Sequence, residues 1–124
     1  MTPAEFRTTR EALGFTGDAL AAYLKTTSRT VRNWEAGNFA IPDGVADQLR
    51  ALELLTSSYV DDLVRQATDE GAPAVITYRD DETFHAAHPN RAHFPAAWHR
   101  TVTKRAASRL RGVRIDYPEE QEGP

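Results

Sequence analysis

The segment from residue 16 to residue 37 constrains the fold of this chain most, because it encodes two short helices with little room between them. Thr16 and Thr27 each stand where a threonine side chain can cap the start of a helix. Apolar residues recur at helical spacing after each cap, namely Leu20, Ala21 and Leu24 after the first, and Val31 and Trp34 after the second. Gly37 then ends the second helix. Because only a short polar stretch separates the two helices, the segment predicts a helix-turn-helix arrangement.

Another helix is predicted before this segment. Thr2 and Glu5 have the spacing of a capping box at its start. Phe6 and Leu13 lie seven residues apart and therefore share one face. Gly14 ends the helix, so the chain reaches Thr16 after a very short connection.

A long amphipathic helix is predicted after the segment, from Pro42-Asp43 to Gly71. Its apolar residues keep a spacing of three or four over about six turns. They are Val45, Leu49, Leu52, Leu55, Tyr59, Leu63 and Ala67. Three poor helix formers at residues 56–58 predict a bend that divides the stretch in two. We therefore expect five helices in residues 1–71.

The pattern changes in the second half of the chain. β-Branched residues predict a strand over residues 74–78, and alternation predicts another over residues 113–117. Two helices are predicted between them, over residues 83–88 and 94–110. Strands joined by a helical crossover can pair in parallel. The expected fold is therefore mainly α with a small C-terminal α/β part of β-α-α-β order.

Composition excludes several classes of protein. The 124 residues contain no cysteine, which removes disulfides, thiol nucleophiles and cysteine-ligated metal sites. No apolar run approaches the roughly 20 residues of a spanning helix, so no membrane partner is expected. The first residues, Met1 to Glu5, lack the basic and apolar regions of a signal peptide. We expect a soluble cytoplasmic protein.

The net charge of −3 is unevenly distributed along the chain. Residues 43–71 hold seven acidic and two basic residues, whereas residues 72–111 hold seven basic and three acidic ones. An acidic total argues against a purely electrostatic, histone-like binder. It leaves room for a nucleic-acid partner, because phosphate contacts depend on local patches of charge.

The first half of the chain resembles the lambda-repressor-like, or XRE, helix-turn-helix family. The resemblance covers about residues 1–55 and is carried by Ala21, Leu24, Thr27, Val31 and the closing Trp34-Glu35-x-Gly37. It implies a DNA-binding domain and an ion pair between Arg10 and Glu35. The sequence departs from the family at three positions, where Gly17, Lys25 and Thr26 replace the usual glutamine, turn glycine and apolar turn residue.

The second half resembles YdiL-like regulators, a group that includes anti-CRISPR-associated autorepressors. The resemblance is carried by the strand Val75-Ile76-Thr77-Tyr78, by Phe94-Pro95-x-x-Trp98 and by the final strand. Together the two resemblances imply a transcriptional regulator. The expected organisation is a helix-turn-helix DNA-binding domain that includes the long helix (1–71), a small α/β dimerisation domain (72–118) and an acidic flexible tail (119–124).

The candidate DNA contacts lie on and around the second helix of the pair, which would enter the major groove. The residues expected at base edges are Ser28, Arg29 and Asn33. The residues expected at phosphates are Thr16, Lys25, Thr27, Thr30 and Arg32. Arginine can bond guanine through two hydrogen bonds, and asparagine can do so with adenine. Trp34 is expected in the core rather than at DNA, and Arg32 could equally be a solvated charge.

Two recognition helices, one from each subunit of a dimer, are expected, because a single small DNA-binding domain makes few contacts with DNA. The long helix and the C-terminal half carry more apolar surface than one small β-α-α-β unit can hide. The expected dimer interface comprises Leu55, Tyr59, Leu63, Val75, Ile76, Tyr78 and Trp98. The predicted function is a homodimeric repressor that binds double-stranded DNA at an inverted-repeat operator. Autoregulation is implied by the resemblance alone. The alternative is an antitoxin-type regulator whose C-terminal half binds a partner protein.

Two other features have weaker functional interpretations. Arg100 and Lys104 lie four residues apart and form either a solvated face or a contact for RNA or phosphate. His85 and His88 could share a helix face and, with Asp80 and Asp81, suggest a metal-dependent hydrolase. That hypothesis lacks a nucleophile–base set and a glycine-rich phosphate loop. We expect no enzymatic activity, no cofactor and no metal site.

Overall fold

The computed structural model describes residues 1–121. The helices are α1 (Pro3–Ala12), α2 (Gly17–Leu24), α3 (Ser28–Ala36), α4 (Asp43–Glu70), α5 (Asp81–Ala87) and α6 (Ala96–Ala107). The strands are β1 (Ala74–Ile76) and β2 (Arg114–Asp116), and 3-10 turns span Pro89–Arg91 and Pro118–Gln121. The fold is thus mainly helical with a small sheet near the C-terminus, as predicted from the sequence.

The starts of the first three helices are fixed by threonine caps. The Oγ1 atom of Thr2 accepts the backbone N–H of Glu5, whose carboxylate accepts the N–H of Thr2 in return. The hydroxyls of Thr16 and Thr27 cap α2 and α3 in the same way. Each cap satisfies an N–H group that has no partner within its helix. The capping box and both later caps are confirmed.

The prediction of five helices in residues 1–71 is wrong, since α4 is one helix of 28 residues. The sequence predicts a bend at residues 56–58, but the helix is continuous at this position and Thr56 is fully buried. Its hydroxyl donates to the carbonyl of Leu52 at 2.7 Å, which satisfies it within the helix. Packing of a buried face against α6 therefore outweighs weak local propensity. Residues 1–71 contain four helices.

The two strands pair in parallel, as the crossover between them predicted. In the register of the pair, Val75 lies beside Ile115. Each strand has three residues, shorter than the five expected. Within the described residues, β1 is paired with β2 alone, so its other edge remains open.

One hydrophobic core runs from α1 to α6 and crosses the boundary predicted after residue 71. Trp98 lies in it with no exposed surface, and its ring centroid is 4.4 Å from that of Phe94. Phe94 in turn makes edge contacts with Phe15 and Tyr23 of the first half. Both halves of the chain therefore share their stabilising contacts.

Gly14 brings α1 unusually close to α6. A Cβ atom at this position would lie 2.6 Å from the backbone oxygen of Ala97, and φ is +76°. Only glycine suits both the close approach and the left-handed conformation. The geometry of the first helix relative to α6 thus depends on this residue.

The predicted acidic tail lies partly outside the described residues, since residues 122–124 are not among them. Residues 119–121 complete the last 3-10 turn. The carboxylate of Glu119 accepts from the guanidinium of Arg79 at 2.5 Å, and this ion pair holds the pKa of Glu119 below its usual value. The beginning of the predicted tail is therefore held against the α/β part.

Candidate nucleic-acid interface

Helix α3 is held against α1 by its buried face. Val31 and Trp34 are buried, and Trp34 meets Phe6 edge-on with ring centroids 5.9 Å apart. The prediction that Trp34 belongs to the core is confirmed. Because one face is fixed in this way, the opposite face of α3 is presented to solvent as a defined surface.

An ion pair adds a directional contact between the same two helices. The guanidinium of Arg10 donates to both carboxylate oxygens of Glu35, at 2.7 and 2.9 Å, and to the carbonyl of Phe15 at 3.0 Å. The hydrogen bonds to Glu35 raise the pKa of Arg10, and the side chains of Arg10 and Glu35 are only 12% exposed. The ion pair implied by the resemblance is thus present. It leaves Arg10 as scaffold rather than as a ligand for phosphate.

The exposed face of α3 carries the residues predicted at base edges. Arg29 is exposed, and Asn33, four residues later, is partly exposed beside it on the same face. Ser28 is also partly exposed and begins the helix at its flank. All three are accessible at the surface, with Arg29 and Asn33 on the face opposite the core.

Three of the residues predicted at phosphates are engaged in capping. The Thr16 hydroxyl accepts the N–H of Ala19 at 3.0 Å. Thr27 accepts the N–H of Thr30 at 3.1 Å, and the two hydroxyls lie 2.8 Å apart. A hydroxyl that accepts a capping bond keeps its own proton for donation. Thr16 therefore retains a donor, and the Thr27–Thr30 pair retains one between its two hydroxyls.

Lys25 occupies the turn position at which the lambda-repressor-like proteins that the first half resembles usually have glycine. Its backbone is left-handed, with φ 59° and ψ 44°, and it ends α2. A non-glycine residue in this conformation is strained by roughly 1 kcal/mol. The turn therefore keeps the geometry that glycine would give, and the exposed Lys25 side chain adds a positive charge there. Arg32 is also exposed, on the neighbouring turn of α3.

Two residues just after α3 were missed by the sequence analysis. The Nδ2 group of Asn38 donates to the Oδ1 atom of Asn33 at 3.1 Å. Phe39 is 64% exposed, unusual for a phenylalanine. The spacing of the two asparagines around Gly37 was visible in the sequence, but that spacing alone does not show that their side chains meet.

The residues predicted at a dimer interface fall into two groups. Leu55, Tyr59, Leu63 and Ile76 are partly exposed. Trp98 has no exposed surface, and Val75 and Tyr78 are at most 9% exposed. The structure corrects the placement of Trp98, since the core of the same chain covers it completely. Val75 and Tyr78 expose only a small part of their surface, which lines a groove.

A groove of about 270 Å³ separates the C-terminal half of α4 from β1. Tyr59 and Leu63 line it on the helix, and Val75 and Ile76 line it on the strand. It therefore brings apolar side chains of a helix and of a strand together at one surface.

The histidines make contacts within the chain. His85 Nε2 lies 2.6 Å from the carbonyl oxygen of Phe94, and His88 Nε2 lies 3.1 Å from the hydroxyl of Tyr78. The predicted shared helix face is wrong, since α5 ends at Ala87 and His88 leaves the helical conformation. Asp80 caps α5 through the N–H of Thr83. Among residues 1–121, no three side chains of the metal-ligating types cluster closely enough to hold an ion.

The basic pair on α6 is divided between two environments. The guanidinium of Arg100 donates to the backbone carbonyls of Tyr78 and Arg79, at 2.8 and 2.9 Å. Lys104, by contrast, is exposed. Arg100 therefore connects α6 to the loop after β1.

A family model described as Aca2/YdiL-like matches residues 1–110 of the chain. The chain belongs to the Aca2/YdiL-like family. The resemblance of the second half to YdiL-like regulators is thereby confirmed, and membership indicates an anti-CRISPR-associated regulator of transcription. No curated protein matches this Aca2/YdiL-like chain. Within its described part, no helix combines the length and the apolar character needed to cross a membrane.

Proposed function

We propose that this Aca2/YdiL-like protein is a sequence-specific DNA-binding repressor, of the XRE helix-turn-helix type, that controls its own promoter. One observation carries the proposal. Helix α3 is fixed to α1 by Trp34 and by the Arg10–Glu35 ion pair, and its free face presents Arg29 and Asn33. A rigid helix with two base-reading side chains on one exposed face suits the major groove.

The surroundings of α3 supply contacts for the phosphate backbone. Thr16 retains a hydroxyl donor at the start of α2, where the helix N-terminus favours an anion. Lys25 in the turn and Arg32 on α3 add two positive charges. Such contacts set the register of a protein on DNA without reading its sequence.

The proposed functional unit is a homodimer. The occupant of the groove between α4 and β1 would be the same surface of a second copy. Tyr59, Leu63 and Ile76 would supply the apolar contacts, and the open edge of β1 would supply unpaired backbone groups. Two recognition helices would then lie ~34–36 Å apart on an inverted repeat.

Repression would follow from occupancy, since a dimer on a promoter excludes polymerase. This mechanism requires neither catalysis nor a cofactor. The antitoxin alternative gains no support from these contacts. It requires a C-terminal half that folds on its partner, whereas residues 74–116 pack on α4 in the chain itself.

Selection from a library of random DNA duplexes tests the proposal, because the protein itself then enriches the sequence that it binds. The expected result is an inverted repeat with half-sites about one helical turn, or a multiple of it, apart. Enrichment of no sequence over the starting library would contradict sequence-specific recognition. Enrichment of a single unrepeated site would contradict the dimer.

A further inference from the structure

Asn33 and Asn38 are joined by two hydrogen bonds. The backbone N–H of Asn38 donates to the carbonyl of Asn33 at 2.9 Å, and its Nδ2 group donates to the Oδ1 atom of Asn33 at 3.1 Å. Asn38 lies beyond the end of α3 and is exposed. The first bond holds the backbone of Asn38, and the second reaches the side chain proposed to read a base.

The position of Asn38 is fixed by how α3 ends. Gly37 is left-handed, with φ 78°, and its N–H donates to the carbonyl of Trp34. Together with the bond from Asn38 to the Asn33 carbonyl, this forms a Schellman motif. The helix end therefore places the amide of Asn38 one turn away from Asn33 and directed at it.

We propose that Asn38 is a positioning residue that sets the base preference of Asn33 by fixing the orientation of its side-chain amide. This inference rests on the proposed DNA-binding function. An amide has a donor end and an acceptor end of nearly the same shape, and rotation by 180° exchanges them. The structure has the orientation in which the Oδ1 atom of Asn33 accepts from Asn38. Rotation of both amides together would give the reverse bond, so the inference is that the observed orientation predominates before DNA is bound.

The selected orientation suits adenine. With Oδ1 held by Asn38, Asn33 keeps both N–H donors and one further lone pair on Oδ1. Adenine presents the N7 acceptor and the N6 amino donor side by side in the major groove. A fixed amide can meet both at once, whereas a freely rotating one spends part of its time with the oxygen facing N7. Preorganisation of this kind removes an ordering cost from the contact with adenine and so strengthens that contact.

The test compares base preferences of the wild-type protein with those of Asn38→Ala, Asn33→Ala and the double variant, each by selection from the same random duplex library. Asn90→Ala is the matched control, since Asn90 is an exposed asparagine on the 3-10 turn Pro89–Arg91. We expect Asn38→Ala to reduce the preference at one base pair of each half-site by about five- to tenfold. That base pair should be the one affected by Asn33→Ala. Affinity for non-specific DNA should change by less than about twofold, because phosphate contacts remain.

A variant that replaces the donor at position 38 by an acceptor sharpens the test. A carboxylate can only accept, so Asn38→Asp would attract the Nδ2 end of Asn33 and reverse the amide. We expect adenine preference to fall further than in Asn38→Ala. The variant Ala40→Asp, at an exposed position two residues on, controls for the added negative charge.

Four outcomes separate the possibilities. If Asn38→Ala has no further effect in the Asn33→Ala background, the two residues act as a unit and the proposal stands. An equal effect in both backgrounds would overturn it, because Asn38 would then contact DNA itself. An unchanged base preference in Asn38→Ala would overturn it while leaving the DNA-binding function intact. If the wild-type protein selects no sequence, the proposed function fails instead. The side-chain amide NMR signals of Asn33 in the free protein then test whether Asn38 positions Asn33. Unchanged signals in Asn38→Ala would overturn that role.

Discussion

The indole N–H of Trp98 donates to the hydroxyl oxygen of Thr56 at 3.0 Å, and both side chains are fully buried. The same hydroxyl donates to the carbonyl of Leu52. The N–H group, which is the only hydrogen-bonding group of the indole, is thereby satisfied inside the core. The bond fastens α6 to the middle of α4 and so connects the α/β part to the helix that follows the proposed DNA-reading unit.

Replacement of Thr56 by valine should destabilise the protein by about 1–3 kcal/mol, because the Trp98 N–H would be buried without an acceptor. Valine has nearly the same shape, so the loss reports the hydrogen bond rather than a cavity. Thr56→Ser keeps the acceptor and should cost less. Urea unfolding monitored by tryptophan fluorescence measures both variants. Equal losses in the two would contradict this role of the hydroxyl.

Lys25→Gly should stabilise the fold by about 1 kcal/mol, because glycine adopts the left-handed conformation of this position without strain. The same substitution removes a positive charge near the residues proposed to contact DNA phosphates. The slope of log binding constant against log salt concentration should therefore become smaller by about one. Lys104→Gly is a useful contrast, since it places glycine inside α6 and should destabilise by about 1 kcal/mol. A destabilised Lys25→Gly variant would refute the strain argument.

Leu63→Glu should convert the proposed dimer to a monomer, because it places a charge in the groove between α4 and β1. Leu54 offers a matched control on the same helix, since it is 74% exposed and lies nine residues away on the opposite face. Sedimentation velocity over a range of concentrations distinguishes the species. The dimer should persist in Leu54→Glu. Loss of the dimer in both variants, or in neither, would contradict the assigned surface.

Acid should destabilise the protein through His99. Burial lowers its pKa to about 4, with a smaller contribution from the nearby His88, so the folded state favours the neutral ring. The unfolded chain, with a histidine pKa near 6.5, binds this proton at higher pH than the folded chain does. Stability is therefore unaffected by this group above about pH 6.5 and falls as pH decreases towards 4. The loss attributable to His99 is about 3 kcal/mol at most.

Unfolding free energies measured at a series of pH values between 4.5 and 7 test this expectation. His99→Gln should flatten the curve, because glutamine does not titrate in this range. Its side chain can still meet the Thr77 hydroxyl that now lies 2.9 Å from His99 Nδ1. His93→Gln, at an exposed histidine, should leave it unchanged. A His99→Gln curve parallel to that of the wild-type protein would show that other groups cause the acid sensitivity.

The parts of the fold that could be predicted from sequence are those governed by local rules. The capping box at Thr2 and the caps at Thr16 and Thr27 follow from side chains a few residues away, and all three are present. The parallel pairing of the strands follows from the helical crossover between them. Such features depend on spacing alone.

The predictions were wrong or incomplete where the structure depends on contacts between residues far apart in the sequence. Three poor helix formers at residues 56–58 predict a bend, but Thr56 is held in the core by Trp98, which lies 42 residues away in the sequence. The sequence predicts Trp98 at an interface because periodicity shows that a face is apolar but not which surface covers it. The Asn33–Asn38 bond was missed because it depends on the left-handed turn at Gly37. Each case needed the three-dimensional arrangement.

Fluorescence anisotropy with the DNA upstream of its own gene, at ~0.15 M salt, tests sequence-specific recognition by α3 most directly. Shuffled DNA and the variant Arg29→Ala/Asn33→Ala complete the comparison. We predict tight binding of the wild-type protein to the native fragment, and binding at least about tenfold weaker for the double variant. Arg32→Ala should weaken binding to both DNAs equally. Equal binding of wild-type protein and double variant to the native fragment would contradict recognition through this helix.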